Sequence, residues 1–565
     1  QLAAFPRLAN LRKAWLWAQA RGWVQRITEP GRYLSVKLKL EQAQKEEKDL
    51  LRQLASLKAW QSFMQRLDDR TRQNLQAWAK TIRRIGRGTG KRAPRMRRQA
   101  RQYLRECLPK MPVWIMPLHR VWETASGQPG IFDTIIVDEA SQAGLDSLLL
   151  LLMGKRIVVV GDDQQNSPEG HFVELNRIEA LIDRYLKKVF DFSESYRPEF
   201  SLYDHALRAF GLPITLREHF RCVPDIIRFS NQLCYRDEPL IPLRQAPPNA
   251  LKPLQAVYVA EGYTDGESPK IINRPEAERI VNTIKECLED PAYEGKTFGV
   301  ITLQGQSQME LIQRLLIEKI NPRELEERKL TCGTSSTFQG DQRDVIFLSM
   351  VVAPNQRFRS LTSDSEKRRF NVAMSRARNQ VWLFHSVRLE DLATEDLRYQ
   401  LCHFFYSPET MPPDGVYAQR EVLETAVKNT PNRKLVPPPK PFESWFEVDV
   451  ALEILAKGYR VKPQWEVAGY RIDLVVEGKT RRMAIECDGD TWHGPERFLH
   501  DFHRQLQLER AGWTFVRIPA SEFYAARKRC LNYVFDKCRE LDIYPVIEEE
   551  GQDLRERPSQ ICDRK

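Results

Sequence analysis

The stretch FDTIIVDEASQ, Phe132 to Gln142, decides how this chain is read. Ile135, Ile136 and Val137 form a short β-branched run that predicts a fully buried strand of a parallel sheet. The run ends in adjacent carboxylates, Asp138 and Glu139. Open α/β sheets bind ligands at the carboxyl ends of their strands, so these acids fall where a nucleotide would sit. Asp138 is placed to hold a Mg2+ on that nucleotide, and Glu139 to orient or deprotonate an attacking water. The alternative is an ordinary strand with an acidic end, and the rest of the chain decides between them.

Downstream, KRIVVVGDDQQNSP (155–168) predicts a second buried strand over Ile157–Val160, ending in Gly161-Asp162. Gln165, just beyond that end, can sense a γ-phosphate or its attacking water. VWIMPL (113–118) is a further strand candidate. Strands and helices then alternate to about residue 395 through ITLREHFRCVPDIIRFSNQLCY (214–235), FGVITLQG (298–305), TFQGDQRDVIFLSMVV (337–352) and RRFNVAMSRARNQVWLFHS (368–386).

The charge is uneven. The chain carries +11 overall, yet residues 1–110 hold 27 Lys+Arg against 8 Asp+Glu, leaving −8 for the remainder. Such concentrated basicity is expected of an element lying along phosphates. Leu40, Leu50, Leu51, Leu54 and Leu57 recur at helical spacing and predict a helical hairpin or short coiled coil, or else a helical insertion that merely packs on its neighbour. Gly86, Gly88, Gly90 and Lys91 do not satisfy G-x-x-x-x-G-K-[ST], and a basic turn touching nucleic acid is the better reading. No other Gly-Lys pair fits that phosphate loop either. The ten cysteines include no C-x-x-C pair, which suits a reducing cytoplasm; an iron–sulfur or zinc centre is not expected. No apolar run reaches the length of a membrane span.

In order and spacing, the segments resemble superfamily 1 helicases, in the branch of the nonsense-mediated-decay and Okazaki-fragment helicases. VDEASQ resembles motif II, VVVGDDQQNSP motif III, LREHFRCVP motif IV, GTSSTFQGDQRD motif V and RRFNVAMSRAR motif VI. The resemblance covers about residues 110–390 and implies ATP bound between two RecA-like lobes. It implies that Arg221 and Arg376 supply cations to the transferring phosphoryl group, for which a rigid guanidinium fork is suited. Gln339 and Gly340 belong by the same resemblance to a loop linking γ-phosphate sensing to the strand. Gln342 stands where the branch usually has Glu, which puts nucleotide preference or rate in doubt. Helicases of this branch carry their phosphate loop upstream of motif II. The expectation is therefore that the loop precedes Gln1, and that this chain alone does not hydrolyse ATP.

After a proline-rich stretch at 406–441 comes a separate constellation. GYRIDLVVEGKTRRMAIECDGDTWHG predicts a β-hairpin turning at Glu477–Thr480; centring the turn between Lys479 and Thr480 sets Asp473 opposite Glu486 and puts Asp488 on the same face. Glu447, on a preceding helix, can reach that patch. Carboxylates about 4 Å apart repel by roughly 4 kcal/mol at an effective dielectric near 20. A bound Mg2+ or Mn2+ converts that repulsion into coordination. The segment resembles PD-(D/E)XK nucleases of the very-short-patch-repair-like branch, with Trp492-His493, Asp501, Arg504 and Gln505 as further marks. This implies metal-assisted attack of water on a phosphodiester, with Asp473, Glu486 and Asp488 as metal ligands and His493 as acid, base or phosphate ligand.

The sequence therefore predicts an α/β protein: a basic helical insertion (1–110), part of a first RecA-like lobe (111–205), a second such lobe (206–405), a linker (406–441), a restriction-endonuclease-like domain (442–548) and a charged tail (549–565). Its expected substrate is DNA with single-stranded regions. The alternatives are an RNA-directed motor with a non-cleaving C-terminal domain, and a motor-dead scaffold.

Overall fold

The computed structural model describes residues 11–27, 32–85, 92–107, 110–124, 129–166, 168, 175–189, 193–244, 246, 250–266, 270–407, 416–433, 435–467, 469–479, 481–489 and 504–546. The chain forms two compact units, residues 36–214 and residues 215–565 together with 1–35.

Helices α1 (Leu11–Ile27), α2 (Arg32–Arg66), α3 (Asp69–Ile85), α4 (Ala93–Cys107) and α5 (Leu118–Thr124) open the chain. The leucine stripe is helical, as expected, but the coiled coil is not formed: the five leucines on α2 stay between 48% and 68% exposed. EQAQKEEKD at 41–49 interrupts the stripe for more than two turns with charge. The packed helical pair is α3 with α4, joined over Thr71, Ala100, Leu104 and Cys107. VWIMPL is not a strand. Pro112 precedes it and Pro117 lies within it, and neither can donate to a ladder. The Pro117 carbonyl instead accepts from the Arg120 and Val121 amides and starts α5.

Strand β1 (Phe132–Val137), α6 (Leu149–Met153), β2 (Gly154–Val159), α7 (Leu175–Tyr185) and α8 (Leu202–Phe210) follow. β1 and β2 pair in parallel from Phe132↔Gly154 to Val137↔Val159. The predicted full burial does not hold, because the described sheet here has two strands and leaves Ile136 69% and Val158 47% exposed. Ser201 caps α8 in a reciprocal box with Asp204.

The second unit continues with β3 (Glu218–His219), α9 (Pro224–Leu233), β4 (Ile241–Pro242), β5 (Leu254–Tyr258), α10 (Arg274–Glu289), β6 (Phe298–Thr302), α11 (Gln306–Lys319), α12 (Pro322–Glu327), β7 (Thr331–Gly333), β8 (Arg343–Ser349), α13 (Asp364–Ser375), β9 (Ala377–His385) and α14 (Leu397–Tyr406). Five strands form an all-parallel sheet in the order β5-β9-β8-β6-β7. Successive residues alternate between two cores. Ile301, Leu348 and Leu383 face α9 and α13, whereas Val300, Phe347 and Phe384 face α10 and α11. Burial on both faces explains why these strands read as continuous apolar runs.

The C-terminal body comprises α15 (Arg420–Asn429), α16 (Trp445–Ala456), β10 (Arg460–Val467), β11 (Tyr470–Glu477), β12 (Arg482–Asp488), helical residues 504–510, β13 (Phe515–Pro519) and α17 (Ala520–Glu540). Its sheet runs β10-β11-β12-β13, antiparallel except for the last pair. The proline-rich stretch is not a free spacer throughout. Leu423 on α15 is buried in the same core as Phe446, Ile485 and Phe523, and the Ala418 amide donates to the Val461 carbonyl at 2.8 Å. We expect Leu423→Ala to cost about 2 kcal/mol or more. An unchanged urea transition would show that α15 lies outside the C-terminal folding unit.

Candidate nuclease and motor sites

In the unit spanning 36–214, Asp138 and Glu139 stand at the carboxyl end of β1. The parallel ladder continues past both strands, with Val160 N donating to Val137 O (2.8 Å) and Ala140 N to Val160 O (2.9 Å). Between these bonds Glu139 takes a left-handed backbone, φ 54°. This turn ends the strand and directs the acids off its end. A Cβ on Gly161 would stand 2.8 Å from the Tyr203 ring, so only glycine fits at the adjoining end of β2. Gln165 donates to Asp162 Oδ2 at 2.8 Å, while Gln142 donates to Glu139 Oε2 at 3.1 Å.

In the second unit, Arg221 and Arg376 converge although 155 positions separate them. Arg376 ends α13, is 1% exposed and donates to the Asp341 carbonyl; Arg221 donates to the Ser375 carbonyl at 3.3 Å. Arg244 ties the same corner by donating to the carbonyls of Arg221 and Arg378. Burial, together with Arg221 and Arg376, pushes the His219 imidazole down to about 4. His219 is therefore neutral at pH 7, and its Nε2 accepts from the Cys222 amide at 3.0 Å. Gln339 and Gly340 form the turn before β8, where Gly340 sits at φ +79°. Gln342 is exposed on the same turn.

The C-terminal carboxylates meet as the hairpin predicted. Leu474 pairs with Ile485 and Glu477 with Arg482, and the same register sets Asp473 across from Glu486. Asp473 Oδ2 accepts from the Cys487 amide at 2.8 Å. Burial, then the neighbouring Glu486, pushes the Asp473 carboxyl up to about 7. Burial also raises Glu486, against the opposing pull of Arg504. Glu447 is buried at the start of α16, inside a cap with Ser444 (2.7 Å), and accepts from Gln464 Nε2 at 2.9 Å. Asp488 is the more exposed acid and pairs with Arg517 at 3.2 Å. His493, Trp492 and Asp501 lie outside the described residues.

Three further partners hold the cluster. Arg504 Nη2 meets Glu486 Oε2 at 2.6 Å, Arg517 joins Asp488 to Gln505, and Gln464 stands beside Asp473 on the neighbouring strand. Arg504 and Gln505 were marked only by family resemblance; Arg517 and Gln464 carried no motif.

Among the described residues no group of three or more His, Cys, Asp or Glu forms a ready metal cage. Two of these three acids, Glu486 and Asp488, are already engaged by arginines. Yet Glu486 Oε1 is buried with no hydrogen-bond partner among the described residues, beside a carboxyl whose ionisation is suppressed. An orphan carboxylate oxygen next to a second acid fits a hard divalent cation.

Residues 199–388 match an AAA domain family (AAA_12), and residues 446–537 match the restriction-endonuclease family REase_MTES_1575. The "Uncharacterized ATP-dependent helicase MG140" of Mycoplasma genitalium is 28% identical over 301 residues, 51% of this chain and 26% of that protein. "Uncharacterized ATP-dependent helicase MJ0104" of Methanocaldococcus jannaschii is 25% identical over 271 residues, covering 47% and 37%. "5'-3' DNA helicase ZGRF1" of Mus musculus is 25% identical over 263 residues, covering 45% and 13%. The chain thus spans between about a quarter and a little over a third of the first relatives' length. A match to an AAA domain and a match to a restriction-endonuclease-like domain stand in series on one chain. No helix among the described residues is long and apolar enough to cross a membrane.

Proposed function

We propose that this chain is part of an ATP-driven DNA helicase or translocase fused to a metal-dependent DNA endonuclease, acting in DNA repair or in defence against foreign DNA. The observation that carries the nuclease reading is the buried Asp473–Glu486 pair, with one carboxylate oxygen unpartnered among the described residues and the Asp473 carboxyl pushed up to about 7. Asp473, Glu486 and Asp488 would hold Mg2+ or Mn2+, which supplies a Lewis acid and an activated water for phosphodiester hydrolysis. Arg504 and Arg517 orient the acids and offset their charge, and Glu447 with Gln464 fixes the neighbouring helix start. In the motor part, the proposed roles are Mg2+ binding for Asp138, water activation for Glu139, γ-phosphate sensing for Gln165, Gln339 and Gly340, and charge stabilisation for Arg221 and Arg376.

The test is cleavage of matched single-stranded, forked and duplex DNA, and of the same sequences as RNA, with Mg2+, Mn2+ or EDTA. Cutting of DNA that requires the cation, with RNA left intact, is the expected result. Cutting that persists in EDTA would remove the proposed metal, and cutting of RNA alone would reassign the substrate.

A further inference from the structure

Among the described residues, two hydrogen bonds join the C-terminal body to the lobe carrying Arg221. Gln507 Nε2 donates to Glu218 Oε1, and Arg482 Nη1 donates to the Ala246 carbonyl at 2.7 Å. Both donors belong to elements that frame the nuclease acids. Arg482 opens β12, the strand on which Glu486 lies. Gln507 lies one turn beyond Arg504 in helical residues 504–510, and residues three apart share a helix face.

This helix segment is tightly held. Leu508 is completely buried against Trp465, Ile472 and Trp513. Gln507 uses both ends of its amide, accepting from the Tyr470 hydroxyl at 2.8 Å while it donates to Glu218. At the segment's start, Arg504 donates to the Arg471 carbonyl at 3.2 Å as well as to Glu486. On the lobe side, Glu218 belongs to β3 and lies three residues before Arg221. A continuous chain of contacts therefore runs from the Arg221 segment, through Glu218 and Gln507, to Arg504 and Glu486.

We propose that Gln507, tethered by Glu218, is a positioning residue for the nuclease acid Glu486, so that the lobe carrying Arg221 sets the cation affinity of the nuclease site. This rests on the endonuclease reading above. Glu218 fixes the helix segment, the segment fixes Arg504, and Arg504 holds Glu486 by Oε2 and leaves Oε1 free for a cation. Loosening an outer-shell partner of a metal ligand typically costs about 10–100-fold in metal affinity.

The experiment is Mn2+ titration of the full chain, read by the electron paramagnetic resonance of free Mn2+. It compares wild type, Glu218→Ala, Gln507→Ala, the double variant and the conservative Glu218→Gln, with Glu486→Ala marking the site. Each alanine variant should bind Mn2+ at that site about tenfold more weakly. The double variant should bind no more weakly than Gln507→Ala, because both substitutions break the same Glu218–Gln507 bond and only Gln507→Ala also removes the bond from Tyr470. Glu218→Gln, whose amide oxygen still accepts the bond, should stay close to wild type. Cleavage should show a raised half-saturating Mn2+ with an unchanged rate at saturation. If wild type binds Mn2+ at the Glu486-dependent site and the alanine variants bind it equally well, the tether is refuted and the nuclease stands. Additive losses in the double variant also refute it. If wild type shows no Glu486-dependent Mn2+ binding, the nuclease reading itself fails.

Discussion

Glu486→Gln leaves a folded chain that binds DNA and no longer cuts it, with cleavage reduced on the order of 10³-fold. The size follows from what a cation contributes: Lewis-acid stabilisation worth several kcal/mol, where each 1.36 kcal/mol is tenfold in rate. The amide keeps the volume of the side chain and still offers a carbonyl oxygen to Arg504, so the contact at Oε2 survives in neutral form. It removes the negative charge that, with Asp473, would bind the cation. Folding is not at risk. Taking a buried charge away from beside Asp473 relieves the repulsion that keeps that carboxyl high. The measurement is single-turnover cleavage beside filter binding and a thermal melt. Undiminished cutting would place the chemistry at other residues, and a collapsed melt would assign Glu486 to the core.

Much of this site could be read in the sequence because it rests on local geometry. A hairpin with a short turn obeys a two-residue period, so centring the turn between Lys479 and Thr480 sets Asp473 against Glu486 without knowledge of anything else. The all-parallel sheet was legible for a similar reason: strands buried on both faces show continuous apolar runs, as in FGVIT and RDVIFLS. The arginines that hold the acids were not legible by physical reasoning alone. Arg517 reaches Asp488 from a strand 29 positions away, and no local periodicity encodes a pairing across a sheet. Burial was overestimated where it depends on neighbours, as at Ile136, because a strand's pattern does not say how many strands flank it. VWIMPL is not a strand because Pro112 just before it and Pro117 within it outweigh the β propensity of the run. The α2 leucines have the right period and are left exposed.

In the absence of divalent cations, the C-terminal domain should lose stability as pH rises from 5 to 8, and Asp473→Asn should remove most of that loss. The folded carboxyl titrates near 7, first because it is buried and then because Glu486 lies beside it, whereas the unfolded one titrates at its ordinary value of 3.8. A raised carboxylate means that the native state binds the proton more tightly than the unfolded state. The stabilisation is complete below pH 3.8 and is lost as pH passes through 7. At 1.36 kcal/mol per pH unit, the loss across the full window is at most about 4 kcal/mol. Glu486 is displaced in the same direction and adds to the trend. Asparagine keeps an oxygen for the Cys487 amide and has no proton to lose, so the wild-type and variant curves should lie closest at pH 5, converging only below pH 3.8, and be furthest apart at pH 8. Saturating Mg2+ should bring the wild-type curve back up at pH 8 and leave the variant where it was, since the cation competes with the proton for the same carboxylate. Urea midpoints for both proteins at pH 5, 6.5 and 8, with EDTA and with Mg2+, measure this directly. Parallel curves in EDTA would mean that Asp473 is ionised throughout, and the burial that makes it a cation site would then be absent.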